Sequence, residues 1–429
     1  MAKSINISKR IRSFPVFFLK AILLFCFIYP FSLRILGFPE FAHSARLAVI
    51  FVVIFSIFKP HKILPFKANR MYNEYKKVLW LTFFTCIYCI FLSFAFGFGT
   101  GTNYLSIGVD NILFSLLPIV AFYYLFDNLD EFIDAIILVT IIQSIAILLG
   151  TFIPSISYAF QMMFDTNVGF EDRDLEALSK SYASGIGCFT SLGVTRFTIG
   201  LVACLYKYIS KRNIIYLLLY VFFSVVNSML ARTGLLMSIA GLSVIFYFLV
   251  KSRRISFISL MGLLVVAVFS YFIVNNMSSD FDERFSRYEE FKDDGVSSFF
   301  EAYFHGNDIP KISLPTIIGT SIVSGKSGNG IVVSADGGFI KNYVALGLIL
   351  SIFVYVYLVR VFFRIKSFFK GTCIEYVLIF YGMYMLFSDF KEYFLLYRGA
   401  LCLFFVFVML AYNKYFILDE KNKNIIIYR

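Results

Sequence analysis

The chain of 429 residues is 59% hydrophobic, with a mean hydropathy of +0.79 and a formal net charge of +12. Apolar segments of spanning length recur from end to end, which is typical of a polytopic membrane protein and excludes an ordinary soluble domain. Basic residues beside these segments account for the positive charge, which suits anionic lipid and does not indicate nucleic-acid binding.

A membrane-spanning helix needs roughly 20 apolar residues, and the chain offers twelve candidate segments. They are approximately residues 14–35, 44–58, 78–98, 105–126, 132–153, 184–206, 214–231, 233–250, 255–275, 337–359, 373–390 and 398–416. The first lacks a small-residue cleavage site, so a retained helix is expected and not a signal peptide. The sequence therefore predicts an all-α polytopic membrane protein, with residues 1–429 forming a single integral membrane domain.

The distribution of lysine and arginine predicts the orientation, because basic residues favour the cytoplasmic side. With the amino terminus inside, the six cytoplasmic segments hold 24 of the 39 basic residues. These segments are residues 1–13, 59–77, 207–212, 251–254, 360–370 and 414–429. Both termini are therefore predicted to be cytoplasmic.

The polar sequence outside the membrane is concentrated in two outer loops, residues 154–183 and 276–336. In the second loop, the spacing of aromatic and charged residues over 280–304 predicts one or two amphipathic helices on the membrane surface. The Gly- and Ser-rich part, Gly319 to Gly338, is expected to be irregular. Long loops of this kind are usually functional, so any chemistry is expected to face outward.

Arg232 lies within Asn227-Ser-Met-Leu-Ala-Arg-Thr-Gly-Leu-Leu236, with mostly apolar sequence on both sides. A guanidinium inside a bilayer costs at least about 2.5 kcal/mol, so it requires a partner or a function. Its planar fork suits bidentate contact with phosphate or carboxylate. Two alternatives follow, a structural ion pair within the helix bundle and a binding site for an anionic headgroup.

Further arginines are predicted to lie at the same outer membrane face as Arg232. They are Arg196, Arg284, Arg287 and Arg398. Each taken alone is more often structural, and for Arg196 the alternative is snorkelling to the interface. Together they favour a ligand that carries a lipid-linked phosphate.

Asp336 precedes the tenth segment and is followed by Gly337-Gly338. The carboxylate is either a helix N-cap or a general base whose pKa is raised by partial burial. Glu301, His305 and Asp308 are rival bases in the same loop. The three histidines are far apart in the sequence, so neither a metal nor another cofactor is expected.

Three more acidic residues, Asp110, Asp389 and Glu392, are predicted at membrane depth or at its edge. Asp110 either pairs with an arginine or marks an ion pathway in a transporter. The sequence does not separate the two.

These features resemble the Wzy-type O-antigen and capsule polymerases and the related O-antigen ligases, over roughly Ser184 to Leu350. The small-residue run that begins at Ser184 and ends in Arg196 carries part of the resemblance. Ser228-Met-Leu-Ala-Arg-Thr-Gly-Leu-Leu236 is similar to the family's arginine–glycine element between two spans. The long outer loop, from Arg284 and Arg287 to the segment Asp336-Gly-Gly-Phe-Ile-Lys-Asn-Tyr-Val-Ala-Leu-Gly347, is the third element. Ligases commonly have His-Asn where Asp336-Gly337 stands, which favours the polymerases.

The resemblance implies a fold similar to the lipid-dependent (GT-C-like) membrane glycosyltransferases. It implies metal-independent glycosyl transfer from an undecaprenyl-diphosphate-linked oligosaccharide at the outer face of the bacterial inner membrane. Asp336 and Arg232 would be catalytic, and Arg196, Arg232, Arg284, Arg287 and Arg398 would bind the diphosphate. Expected partners are membrane lipid, a chain-length regulator protein and a flippase, with no nucleic acid. The alternatives are a lipid-linked oligosaccharide flippase and an O-antigen ligase.

Overall fold

The structure is a computed structural model, and it is predominantly helical. It describes residues 2–33, 43–58, 65–97, 99–163, 184–230, 232–252, 310–327, 331–333, 337–391 and 399–417. Six helices in these residues are long and apolar enough to cross a membrane. Many large apolar side chains on the helices are exposed, including Phe51, Phe91 and Phe94, as is expected for surfaces that face lipid. The predicted class, a helical membrane protein, is confirmed.

The helices follow in chain order. They are α1 (Ala2–Ile28), α2 (Ser44–Phe58), α3 (Met71–Phe96), α4 (Tyr104–Asn111), α5 (Pro118–Leu125), α6 (Leu129–Phe152), α7 (Pro154–Met162), α8 (Thr190–Lys211), α9 (Ile214–Leu230), α10 (Arg232–Lys251), α11 (Leu314–Ile318), α12 (Gly338–Leu346), α13 (Leu348–Phe368), α14 (Cys373–Lys391) and α15 (Ala400–Tyr412). Short 3₁₀ and π segments lie at Phe66–Ala68, Ile112–Leu116 and Asn413–Ile417.

Short strands lie between some of the helices. They are β1 (Thr100–Asn103), β2 (Ser184–Gly185), β3 (Cys188–Phe189), β4 (Ile322–Lys326) and β5 (Val332–Val333). Strands β1, β4 and β5 form one antiparallel sheet in that order, and β2 pairs with β3.

Helices lie in eleven of the twelve predicted segments, and six helices are long and apolar enough to cross a membrane. The segment 184–206 is helical only from Thr190, because β2 and β3 occupy its start, so its predicted bounds are wrong. The remaining segment, 255–275, lies outside the described residues. The helices form two compact units, each made of two stretches of chain. The first unit is Met1–Ile63 with Ala121–Arg284, and the second is Leu64–Val120 with Phe285–Arg429.

Helix α8 is the centre of the first unit, where it packs against α6, α9 and α10. It is buried on all sides from Gly193 to Ile209. A Cβ at Gly200 would lie 2.3 Å from Cγ2 of Thr140, so only glycine lets α6 and α8 approach so closely. Small residues at helix contacts serve this purpose in membrane proteins.

One end of the first unit is held by buried lysines that meet the start of α6. Lys20 of α1 is bonded to Glu131. Lys207 of α8, which is fully buried, contacts Asp130 and Asp134 at 3.0 and 2.8 Å. The predicted topology places the start of α6 and the end of α8 on one side of the membrane, and the structure brings them together.

The second unit contains a helix break that the sequence did not predict. The segment 337–359 was expected to be one span, but α12 ends at Leu346 and α13 begins at Leu348. Rings of Phe339 and Tyr355 lie 4.4 Å apart, whereas sixteen residues of continuous helix would extend about 24 Å. Helix α12 therefore folds back on α13, and the predicted bounds are wrong.

Gly347 and the segment before β4 explain this break. Gly347 has a φ of +84°, in the left-handed region that favours glycine. Thr320 and Ser321 donate backbone hydrogen bonds of 2.9 Å to the carbonyls of Val344 and Ala345, which satisfies two of the carbonyls left open at the end of α12.

The second half of the large loop that is predicted to lie outside is partly ordered as sheet. Residues Gly319–Gly338 were expected to be irregular, and this is wrong for β4 and β5. The β-branched residues of these strands favour extended backbone, and β1 supplies a partner for β4. The same segment is held against α3, where Tyr88 donates to the carbonyl of Ile318 at 2.6 Å and the hydroxyls of Ser93 and Ser321 are 2.9 Å apart.

Candidate functional site

Two helices that carry predicted site arginines begin at the same end of the first unit. Arg196 lies in the second turn of α8, and Arg232 is the first residue of α10. Asn227, near the end of α9, donates hydrogen bonds to Thr198 Oγ1 at 3.2 Å and to the carbonyl of Gly234 at 3.4 Å. This one amide joins all three helices. The predicted topology places this end outside.

Gly234 allows the close connection between α9 and α10, in which Arg232 lies. A Cβ at this position would lie 2.1 Å from the backbone oxygen of Asn227. Only glycine therefore allows the start of α10 to cross the end of α9 so closely. The glycine of the Arg232-Thr-Gly234 element fixes the position of the helix that begins with the arginine.

Arg196 is buried, with 7% of its surface exposed. Its guanidinium Nη1 donates to the carbonyl oxygen of Gly187 at 2.6 Å, in the turn between β2 and β3. It therefore does not reach into solvent, as snorkelling would require. The bond ties the β2–β3 hairpin to the first turns of α8.

The backbone adds to the positive charge of this end of the unit. The amino termini of α8 and α10 both lie here, and the start of a helix carries about half a positive elementary charge. Backbone N–H groups at two neighbouring helix starts suit a phosphate or diphosphate.

The second unit contains a fully buried carboxylate, Asp389, in the last turn of α14. The hydroxyl of Tyr355 in α13 donates to its Oδ2. Asn342 in α12 donates in turn to the hydroxyl oxygen of Tyr355 at 2.6 Å. Burying a carboxylate is costly unless it is hydrogen bonded, so this network stabilises a polar group among apolar helices.

Asp389 also lies against the start of α12. A Cβ at Gly338 would lie 2.6 Å from Asp389 Oδ1 and 2.7 Å from its backbone oxygen. Any side chain at position 338 would therefore displace the carboxylate or its helix. The Gly337-Gly338 pair directly follows Asp336 in the sequence, so Asp389 holds the backbone next to the predicted base.

The other predicted site residues lie outside the described parts of the chain, wholly or in their side chains. The structure describes the backbone of Arg232 but not its side chain. Asp336, Arg284, Arg287, Arg398, Glu301, His305 and Asp308, with Glu392, are outside the described residues altogether. Arg196 and Arg232 both belong to the first unit.

The sequence indicated Asp389 only as a charge near the membrane edge, without a role. Its signal was an aspartate within Met385-Leu-Phe-Ser-Asp-Phe390. Tyr355 and Asn342 gave no signal, because a single tyrosine or asparagine in an apolar segment is ordinary. The fold-back of α12 onto α13 is what assembles these three residues.

In the part of the chain that the structure describes, no group of three or more His, Cys, Asp or Glu side chains is placed to hold a metal ion. No protein-family model matches the chain. A comparison with curated proteins also gives no match.

Proposed function

We propose that this protein is a polysaccharide polymerase that joins undecaprenyl-diphosphate-linked oligosaccharide repeat units at the outer face of the bacterial inner membrane. The single observation that carries the proposal is the meeting of two arginine-bearing helix starts, those of α8 and α10, at one end of the first unit. A diphosphate needs several positive groups fixed in place before it arrives.

The reaction is the displacement of a lipid diphosphate by a sugar hydroxyl. The hydroxyl oxygen of the incoming unit bonds to the anomeric carbon of the growing chain, while the bond from that carbon to the diphosphate oxygen breaks. The diphosphate leaves with the bonding electron pair, and Arg196 and Arg232 stabilise its charge, together with Arg284, Arg287 and Arg398. The released lipid diphosphate is already a good leaving group.

A carboxylate takes the proton of the attacking hydroxyl, and Asp336 is the first choice. Asp389 is proposed to position the start of α12 and not to accept the proton of the attacking hydroxyl. Its contact with Gly338 and its bond from Tyr355 hold the start of α12, the helix that follows Asp336.

The proposal includes the finer features that the resemblance implies. These are twelve spans with both termini cytoplasmic, a GT-C-like fold, and action beside a chain-length regulator and a flippase. The two compact units interleave along the chain and are not its first and second halves. A flippase built from two successive similar halves would divide differently, so this favours the polymerase.

The deciding experiment is deletion of the gene, followed by analysis of the lipid-linked intermediates. A polymerase mutant should lose the long-chain ladder and expose single lipid-linked repeat units on the outer side of the membrane. Accumulation of those units on the cytoplasmic side would identify a flippase instead. Polymer that forms normally but is not transferred to its final acceptor would identify a ligase.

A further inference from the structure

A basic cleft lies between α3 and α13 in the second unit. The predicted topology places it at the cytoplasmic face and not at the outer face. Its volume is about 720 Å³. Its lining includes Arg70, Glu74, Lys76, Lys77, Trp80 and Arg364. Four cations and one carboxylate give this lining a formal charge of +3.

Glu74 organises the base of the cleft. Its side chain is 3% exposed, and Lys77 Nζ contacts its two carboxylate oxygens at 2.8 and 2.9 Å. Arg364 Nε lies 3.2 Å from the same carboxylate, which joins α13 to α3. The carboxylate thus holds two cations in place, while Arg70 and Lys76 are exposed on the rim.

The surroundings of the cleft match the boundary between headgroups and acyl chains. Trp80 is 59% exposed, and aromatic side chains of this kind favour the membrane interface. One helical turn from the cleft, Phe84 and Phe353 expose apolar rings on α3 and α13. A ligand here would meet positive charge at one end and apolar surface at the other.

We propose that this cleft binds the phosphate headgroup of an anionic diacyl lipid, whose acyl chains lie along Phe84 and Phe353. The charge of the lining selects an anion, and the adjoining apolar surface selects a lipid over a soluble phosphate. Both helix ends belong to the segments predicted to be cytoplasmic, 59–77 and 360–370, where anionic lipid attracts basic side chains. The site does not rest on the proposed polymerase function.

The test uses purified full-length protein in detergent, titrated with phosphatidylglycerol or phosphatidylcholine and followed by native mass spectrometry. Phosphatidylglycerol should bind more tightly than phosphatidylcholine. Each basic residue near anionic lipid is worth about fivefold in affinity, so Arg70→Gln with Lys76→Gln should weaken binding by roughly 25-fold. Lys76→Gln alone, expected to lose about fivefold, serves if the double variant does not fold.

The matched control is Lys67→Gln with Lys370→Gln, which removes two exposed cations of the same unit that do not line the cleft. Its affinity for phosphatidylglycerol should stay within about twofold of wild type. Equal weakening in both double variants would show a general charge effect and overturn the site. Wild-type affinity in the cleft variant would also overturn it, as would equal binding of glycerol phosphate.

Discussion

At the scale of single residues, different contacts fix the positions of Arg232, Arg196 and Asp389. Arg232 begins α10, and its place is fixed by Gly234 and Asn227. Arg196 is already hydrogen bonded to Gly187, so it supports the β2–β3 hairpin as well as supplying charge. Asp389 is enclosed by the protein and holds the start of α12.

The first residue prediction concerns Arg232. Arg232→Ala should lower polymerisation by at least about a hundredfold, the cost of losing one fixed donor to a developing charge. Arg232→Lys should restore little, because a point charge cannot replace a bidentate fork. The measurement is polymer length in cells, with protein abundance determined in parallel. Arg212→Ala, an exposed position beyond α8, should remain active. Loss of Arg232→Ala protein from the membrane would instead support a structural ion pair.

The second residue prediction separates the two aspartates. Asp336→Asn should be well folded and inactive, because an amide keeps the shape and the capping ability but not the basicity. Asp389→Asn should keep part of the activity, since its amide oxygen still accepts the hydrogen bond from Tyr355. Tyr355→Phe should reduce activity to a similar extent.

Polymerisation by the purified variants, measured with lipid-linked repeat units, distinguishes these roles. If Asp389→Asn is inactive and Asp336→Asn is active, Asp389 would be the base and Asp336 would not. Full activity in Asp336→Asn with reduced activity in Asp389→Asn would move the base to Glu301, His305 or Asp308.

At the scale of elements, contacts at the ends of helices hold neighbouring helices together. The start of α6 is joined to α1 and α8 by Lys20 and Lys207. Burial alone would lower the pKa of Lys207, but its hydrogen bonds to Asp134 and Asp130 raise the pKa above the ordinary value. The lysine is therefore charged at neutral pH, and the ion pairs stabilise the fold.

Lys207→Met should destabilise the protein by about 2 kcal/mol, less than for a wholly buried pair because Asp130 and Asp134 are 33% and 46% exposed. Because the pKa of Lys207 is higher in the folded protein than in the unfolded one, its ion pairs stabilise the fold fully below the unfolded pKa, about 10.4. This stabilisation is lost as the pH rises through the folded pKa. From neutral pH up to about pH 10, the difference in melting temperature between wild type and variant should thus be constant, and it should shrink above that.

Thermal unfolding in detergent across this range provides the measurement. Lys211→Met, which removes an exposed lysine from the same helix, should leave the melting temperature nearly unchanged. A difference between wild type and Lys207→Met that persists at high pH would show that packing, and not charge, is what Lys207 contributes.

At the scale of the whole molecule, the predicted orientation determines which side of the membrane each loop faces. Single cysteines placed in 160–180 and 285–330, away from the buried positions 316 and 320–323, should react with an impermeant thiol reagent in intact cells. Cysteines placed in 62–75 or 365–370 should react only after the cells are opened. The seven native cysteines are buried or partly buried. A variant without them provides a background that the thiol reagent does not label. The opposite labelling pattern would reverse the orientation and remove the proposed outer site.

Sequence alone determined the helical membrane class and the position of most helices, because a bilayer requires long apolar segments whatever their neighbours. It also indicated Arg232 and Asp389, since a charge in an apolar segment is visible locally. Only the tertiary structure decided where the tenth segment breaks and how β1 pairs with β4, because Thr320, Ser321 and the partner strand come from distant parts of the chain. The contact of Asp389 with Gly338 and Tyr355 depends on that fold-back, and hydropathy carries no information about which helices meet.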